Sequence, residues 1–181
     1  MKLALPLAAL LALSGSRGSA EAGAPQPLPT PYSAEQIRAA WQPGFRVETK
    51  TTDARGDSFE RMTVLSASED SGTIRVQPLK ADGSADGEAQ EFTSSWSELR
   101  DHARFDTSAA TRERAECRSQ LGVLPGWRYA ATAANGDVLT MCFADATPGP
   151  PLEHETRREG KLLSRTEHTL YERPSGAKEK R

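Results

Sequence analysis

The chain has no excess of either charge and no long apolar run beyond its first residues. It also carries only two cysteines, three histidines, three Trp, three Tyr and five Phe among 181 residues. With 23 Lys and Arg against 25 Asp and Glu, the formal net charge is −2. That balance, with a mean hydropathy of −0.61, excludes a polytopic membrane protein and a strongly basic nucleic-acid binder. The familiar catalytic signatures are missing too. There is no Gly-x-Ser-x-Gly elbow, no phosphate loop, no His-Glu-x-x-His and no Cys-x-x-Cys. Serine is plentiful, but a serine nucleophile would have to draw its base from His102, His154 or His168. No catalytic residue, no metal site and no cofactor is expected, and the chain reads as a non-enzyme.

What is present begins with an export segment. Met1 to Ala20 has a positive Lys2, an apolar stretch from Leu3 to Leu13, and small residues at Gly18-Ser19-Ala20, with Ala20-Glu21-Ala22 an equal cleavage frame. The stretch is about half the length needed to span a bilayer, and no Cys near the cleavage site offers a point for lipid attachment. The expectation is a soluble periplasmic or extracellular protein without a membrane span. Of the 161 residues that remain, 54 are hydrophobic and 21 of those are Ala, so 33 larger side chains must build the core. Losing Lys2 and Arg17 takes the net charge to −4, which gives no steering toward nucleic acid or an anionic membrane.

Four segments follow from composition: a signal peptide at 1–20, a Pro-rich tether at 21–32, a single β-rich domain at 33–172, and a basic disordered tail at 173–181. Ser33 with Gln36 and Ser95 with Glu98 form capping boxes that open two short helices. Ile37 with Trp41, and Trp96 with Leu99, give each helix one apolar face. From Phe45 the period becomes two, with Phe45, Val47, Thr49 and Thr51 alternating with Arg46, Glu48 and Lys50. Turns at Arg55-Gly56-Asp57, Asp70-Ser71-Gly72, Asp82–Gly87, Asn135-Gly136 and Glu159-Gly160 punctuate the rest. The fold class is mainly β (α+β): a curved, half-barrel-like antiparallel meander of about nine strands with two short helices. If Asn135-Gly136 is a two-residue turn, Tyr129 faces Cys142. Trp127, Tyr129, Val138 and Cys142 then share one side, and Leu139, Met141 and Phe143 the other.

The capped helix, the curved meander and the Phe143-Ala144 step leading to Pro148-Gly149-Pro150-Pro151 and Leu152 carry a resemblance. Together they are similar to the unclosed half-barrel of the lipoprotein-carrier superfamily of the bacterial envelope, and to uncharacterised exported bacterial proteins with the same Pro-Gly loop. The resemblance covers roughly residues 33 to 172 and reaches the fold only. It implies a cupped sheet holding an acyl chain or hydrophobic peptide. The chain departs from it in its scarcity of large apolar residues.

Candidate sites are few. Cys117 and Cys142 would close a 26-residue loop, and a bridge there is worth roughly 3.5 kcal/mol in the chain-entropy account. In simple strand order they flank a common neighbour about 9.6 Å apart, beyond bridging range. A bridge then requires Cys117 past its strand end or a non-sequential order, and both pairing states stay open. With Glu159-Gly160 as the turn, His154 and His168 fall on opposite faces, and in Glu153-His154-Glu155 neighbouring side chains point apart. Asp82-Gly83-Ser84-Ala85-Asp86-Gly87 resembles the start of a calcium loop, but Thr93 stands where the bidentate Glu belongs; an Asp-Gly turn explains the same residues. Mixed charges at Arg112-Glu113-Arg114 and Arg157-Arg158-Glu159 read as solvated strand faces.

The favoured function is an exported binding module holding a small apolar or amphipathic ligand in a cupped sheet, with Trp127, Tyr129 and Met141 as candidate contacts. Two alternatives stand beside it. One is a structural or partner-binding envelope protein using a sheet edge; the other is a hydrolase without a recognisable motif.

Overall fold

The computed structural model describes residues 26–174; the export segment at 1–20 and positions 175–181 of the tail lie outside the described residues. Both capping boxes form. The Ser33 hydroxyl accepts the Gln36 N–H at 3.2 Å while the Gln36 side chain accepts the Ser33 N–H at 2.8 Å, opening α1 (Ala34–Ala40). Ser95 and Glu98 repeat the exchange at 3.2 and 2.8 Å to open α2 (Trp96–Asp101). Each pair satisfies two N–H groups that a helix start leaves without partners.

Nine antiparallel strands form one open, half-barrel-like sheet. The first four, β1 (Arg46–Asp53), β2 (Gly56–Ala67), β3 (Ser71–Leu79) and β4 (Gln90–Ser95), make one meander. A second contains β5 (Ala110–Ser119), β6 (Gly122–Thr132), β7 (Val138–Ala144), β8 (Glu153–Arg158) and β9 (Lys161–Glu172). The spatial order is β4-β3-β2-β1-β9-β8-β7-β6-β5. The two meanders therefore meet where the first strand pairs with the last, and β4 and β5 are the edges. Pro78 is tolerated in β3 because the β4 ladder stops at Val76, so its missing N–H faces no strand there.

Two hairpins depart by one residue from the register that their turn dipeptides predict, one at its turn and one at a bulge. Ala133 donates to the Asp137 carbonyl at 2.8 Å and Gly136 to the Ala133 carbonyl at 2.9 Å, with Gly136 at φ 83°. The loop thus holds three residues, with glycine in the left-handed position, instead of two. Tyr129 consequently faces Met141, not Cys142, and Trp127 faces Phe143. In the β8–β9 hairpin, Arg158 faces Lys161 as expected, but a bulge between Thr156 and Arg157 shifts the rest. His154 then faces Thr166, which puts it on the same sheet face as His168, two residues along β9. The expectation of opposite faces for the two imidazoles is thereby corrected, since a single inserted residue exchanges the faces of every residue beyond it.

The inner face carries both helices and the main core, in which Phe45, Val47, Val64, Ile74 and Tyr129 are at most 1% exposed. Residues 26–32, within the stretch that reads as a tether, dock against this domain. Leu28 donates to the Phe105 carbonyl at 2.7 Å and Thr107 to the Gln26 carbonyl at 3.0 Å. The buried Tyr32 hydroxyl donates to the Ala144 carbonyl at 2.6 Å, and Tyr129 donates to the Pro29 carbonyl at 2.5 Å. Proline-rich chain has few N–H groups but keeps its carbonyls, and here the Gln26 and Pro29 carbonyls, the Leu28 N–H and the Tyr32 hydroxyl supply the docking contacts.

On the outer face the β5–β6 hairpin folds back over the sheet. The β6–β7 ladder ends at Gly126 opposite Ala144, and β6 continues past it to Gly122. A Cβ on Gly126 would sit 2.1 Å from the Phe143 carbonyl oxygen, so only glycine permits so close a crossing. The bent hairpin reaches as far as β9, where Gln120 donates to the Glu167 carboxylate at 3.4 Å. Cys117 lies on this folded arm, beyond the end of the β6–β7 ladder, and it is disulfide-bonded to Cys142 with Cα atoms 5.3 Å apart. The 9.6 Å spacing of alternate strands in a flat sheet does not apply, because the arm leaves the plane of the sheet.

Candidate functional site: the hollow under the proline strap

The inner face is not filled to its end. Between β7 and β8 the chain crosses over it as a strap, Thr147 to Pro151, which is anchored at both sides. The Pro148 carbonyl accepts the Trp41 indole N–H at 2.9 Å and the Tyr171 hydroxyl at 3.3 Å. Gly149 lies flat on the Trp41 ring at φ 144°, where a Cβ would come within 2.6 Å of the indole nitrogen. Trp41 in turn stacks on Phe45 at 5.4 Å, and Phe45 meets Tyr171 edge-on at 5.1 Å. One tryptophan therefore ties helix, sheet and strap together.

Two cavities lie beneath this strap. One, of about 230 Å³, is walled by Ile37, Trp41, Met62, Leu99, His102, Ala103, Met141, Phe143 and Gly149 to Pro151. The other, of about 290 Å³, is walled by Thr49, Leu139, Met141, Pro150, Pro151, His154, Thr166 and His168. Met141, Pro150 and Pro151 belong to both, so a flexible thioether and two prolines divide one hollow into two chambers. Neither wall contains Lys, Arg, Asp or Glu. Each lies somewhat below the usual size range of small-molecule sites, roughly 300–1,000 Å³.

The second chamber holds the main polar feature of the hollow. His168 is 0% exposed, and neither of its ring nitrogens has a hydrogen-bond partner. Burial, with a smaller contribution from His154, pushes its imidazole down from 6.5 to about 4. Burial lowers His154 as well. Both rings are therefore neutral at neutral pH. Thr166 is already engaged, its hydroxyl 2.7 Å from that of Thr51.

Of the three candidate contacts, the corrected register puts Trp127, Tyr129 and Met141 on one face, but only Met141 touches the hollow. Tyr129 is core, packed edge-on against Phe143 at 5.5 Å. Trp127 lies away from the strap beneath two guanidinium groups, Arg112 at 3.4 Å and Arg114 at 4.7 Å from its ring centre. The residues missed were those on the strap and helices. The Ile37–Trp41 and Trp96–Leu99 spacings reveal apolar helix faces, but nothing local says that the proline loop closes over one of them.

The other candidates resolve simply. Asp82 accepts the Ser84 N–H at 2.9 Å and its hydroxyl at 2.6 Å, a turn held by its own aspartate. Among the described residues, no group of three or more His, Cys, Asp or Glu is placed to hold a metal ion. Among those same residues, no helix is long and apolar enough to cross a membrane.

No family model matches this chain, and no curated protein matches it. Solved structures do. A chain of the Pseudomonas aeruginosa MucA/MucB complex is 18% identical and superposes with a TM-score of 0.52, covering 77% of this chain and 54% of that one. MucB alone is 20% identical, at 0.51, covering 78% and 59%. This chain thus spans little more than half the length of those proteins. A Vibrio parahaemolyticus domain assigned to outer membrane lipoprotein sorting is 11% identical over 81% of this chain and 93% of that one, at a TM-score of 0.28, a likeness that carries no argument. The similarity to MucB is one of fold, and the half-barrel read from the sequence is the architecture found.

Proposed function

We propose that this chain is an exported, non-enzymatic binding module of the cell envelope whose hollow takes a small apolar or amphipathic ligand. The observation that carries it is the uncharged two-chambered hollow, kept open by a strap anchored on Trp41. A core free to collapse would fill such a space, because unfilled volume forfeits dispersion contacts. The composition supports export through the pattern at 1–20, and the same composition offers no catalytic constellation.

Native mass spectrometry of the protein purified from its exporting host without detergent tests this reading. A mass above that of the polypeptide, with a small molecule released on denaturation, is the expected result. A bare polypeptide under mild activation overturns it.

A second reading, a partner-binding envelope protein, has its own support. Edge strand β4 carries Phe92 at 45% exposure, an apolar side chain where strand addition occurs. MucB, which shares the fold, has been solved in complex with MucA(peri). Crosslinking in cells that recovers a partner through β4 separates this reading from the first.

A further inference from the structure

We propose that His154, His168 and Met141 form a binding site for a soft monovalent metal ion, copper(I), in the chamber bounded by β7, β8, β9 and the strap. The site goes beyond the reading of the hollow as an apolar ligand site and does not depend on it.

The register brings the donors together. Met141 lies directly opposite His154 on the neighbouring strand, and His154 lies opposite Thr166, two residues from His168. Directly opposite side chains have Cβ atoms about 4.5–5.5 Å apart and diagonal neighbours about 7–8 Å, within the combined reach of two imidazoles and a thioether around one ion. All three side chains line the same chamber. The bulge between Thr156 and Arg157 makes this grouping, since without it the two imidazoles would lie on opposite faces. The separation that argued against a metal site in the sequence is thereby removed.

The donor set selects the ion. Both nitrogens of the fully buried His168 ring are without a partner, a costly state for a buried polar group. Coordination uses the lone pair of one nitrogen. The other carries the N–H, and the Thr49 hydroxyl, directly opposite on β1 and in the same wall, is the acceptor that the register offers it; metal-bound imidazoles ordinarily have such a partner. The wall holds no carboxylate, so calcium and magnesium lack their oxygen ligands. A divalent ion would also enter with its whole charge uncompensated, at a desolvation cost that rises with the square of the charge. Zinc takes thiolate, imidazole and carboxylate ligands. A thioether suits copper(I), which brings a single charge, and the unbranched Met141 can swing its sulfur toward the imidazoles. His154 is half-buried and His168 fully buried, so an entering ion meets His154 first. The bond to its carrier, a thiolate or a chelator, breaks as the three protein lone pairs bind, and the carrier leaves with its own electron pair. No proton or electron is transferred.

Competition for copper(I) against bicinchoninate tests the proposal, without oxygen and with ascorbate as reductant so that the disulfide stays closed. The unmodified protein is expected to take one ion per chain, and zinc(II) should not displace it. His154→Leu and His168→Leu should each weaken binding by about a hundredfold or more, and Met141→Leu by about tenfold; loss of an outer-shell partner alone costs about ten- to a hundredfold. A second measurement needs no variant and decides if a leucine variant fails to fold. With silver(I), a diamagnetic ion of the same softness, the ring 15N shifts of His154 and His168 and the methyl shift of Met141 should move while those of His102 stay. Unchanged affinity in the three variants, or shifts confined to His102, overturns the site. Zinc bound as tightly as copper overturns the choice of a soft monovalent ion. Absence of copper uptake overturns the proposal and leaves the apolar-ligand reading to its own mass measurement; copper taken up by a chain that carries no organic molecule supports this site without that reading.

Discussion

The two faces of this sheet are stabilised by different means. On the inner face seven aromatic rings interlock in two sets, Tyr32 with Phe143, Tyr129 and Phe105, and Trp41 with Phe45 and Tyr171. Neighbouring centroids in these sets lie between 5.1 and 6.1 Å apart. On the outer face the buried cluster is Cys117, Cys142, Ala144 and Leu152, bordered by charged pairs such as Arg165 with Glu153 at 3.2 Å and Arg128 with Glu113 at 3.3 Å. With 33 large apolar side chains available beyond residue 20, the chain concentrates its aromatics on one face. The other face is held by one covalent bond. The inner face can then keep an unfilled hollow, because aromatic contacts around its rim and the Trp41-bound strap fix its shape.

The largest expected effect comes from removing an inner anchor. Phe45 is fully buried between Trp41 and Tyr171, so Phe45→Ala should cost about 3–5 kcal/mol in urea unfolding and loosen the strap through Trp41. A loss under about 1 kcal/mol, the level of an ordinary surface change, would mean that the inner face does not carry the fold. Opening the outer face comes next. The double substitution of Cys117 and Cys142 by Ser should lower stability by roughly 3.5 kcal/mol, the entropy of a 26-residue loop. The near-ultraviolet signal of the inner aromatics should remain. If it is lost, the two faces are not separable.

A pH titration sharpens the comparison, since the inner face alone contains buried imidazoles. Unfolded, His168 takes up a proton near 6.5; folded, it does so only near 4. Between those values the unfolded state binds more protons, so stability is full above pH 6.5 and falls as the pH drops toward 4. The loss amounts to about 3 kcal/mol, at roughly 1.4 kcal/mol for each tenfold change in proton affinity, and His154 acts in the same direction. Denaturant midpoints between pH 7 and 4 should show this slope, and His168→Leu should flatten it. An unchanged slope in that variant would assign the effect to carboxylates elsewhere.

What was legible in the sequence divides along similar lines. Ser33-Gln36 and Ser95-Glu98 announced both helices because a capping box is complete within four residues. The alternation from Phe45 to Thr51 and the Gly-containing turns announced the strands for the same reason. Asn135-Gly136 marked the hairpin but not its register, because glycine at a left-handed position serves a three-residue loop as well as a two-residue one. That one residue decided whether Tyr129 met Cys142 or Met141. The bulge at Thr156 and Arg157, the fold-back at Gly126 and the strap on Trp41 depend on contacts between distant segments. Neither the disulfide geometry nor the walls of the hollow could therefore be read from local pattern. Trp127, Tyr129 and Met141 were grouped by chemical type, and only the register shows that they share a face.

The smallest expected effect concerns an arginine that lies on the inner side of the sheet without entering the hollow. The Arg112 guanidinium covers Trp127 at 3.4 Å from the ring centre, while its buried Nε has no hydrogen-bond partner. Attraction of the cation to the ring is worth about 0.5–2 kcal/mol, and the unsatisfied N–H costs a similar amount, roughly 1–3 kcal/mol. Arg112→Met keeps most of the stem over the ring and removes both effects, so its unfolding free energy should lie within about 1 kcal/mol of the unmodified protein. A larger loss would show that the stacked cation dominates and that Trp127 needs it. A gain beyond that range would show that the orphaned nitrogen dominates, and that the inner face tolerates an electrostatic cost at its edge as well as the unpaired imidazole in its hollow.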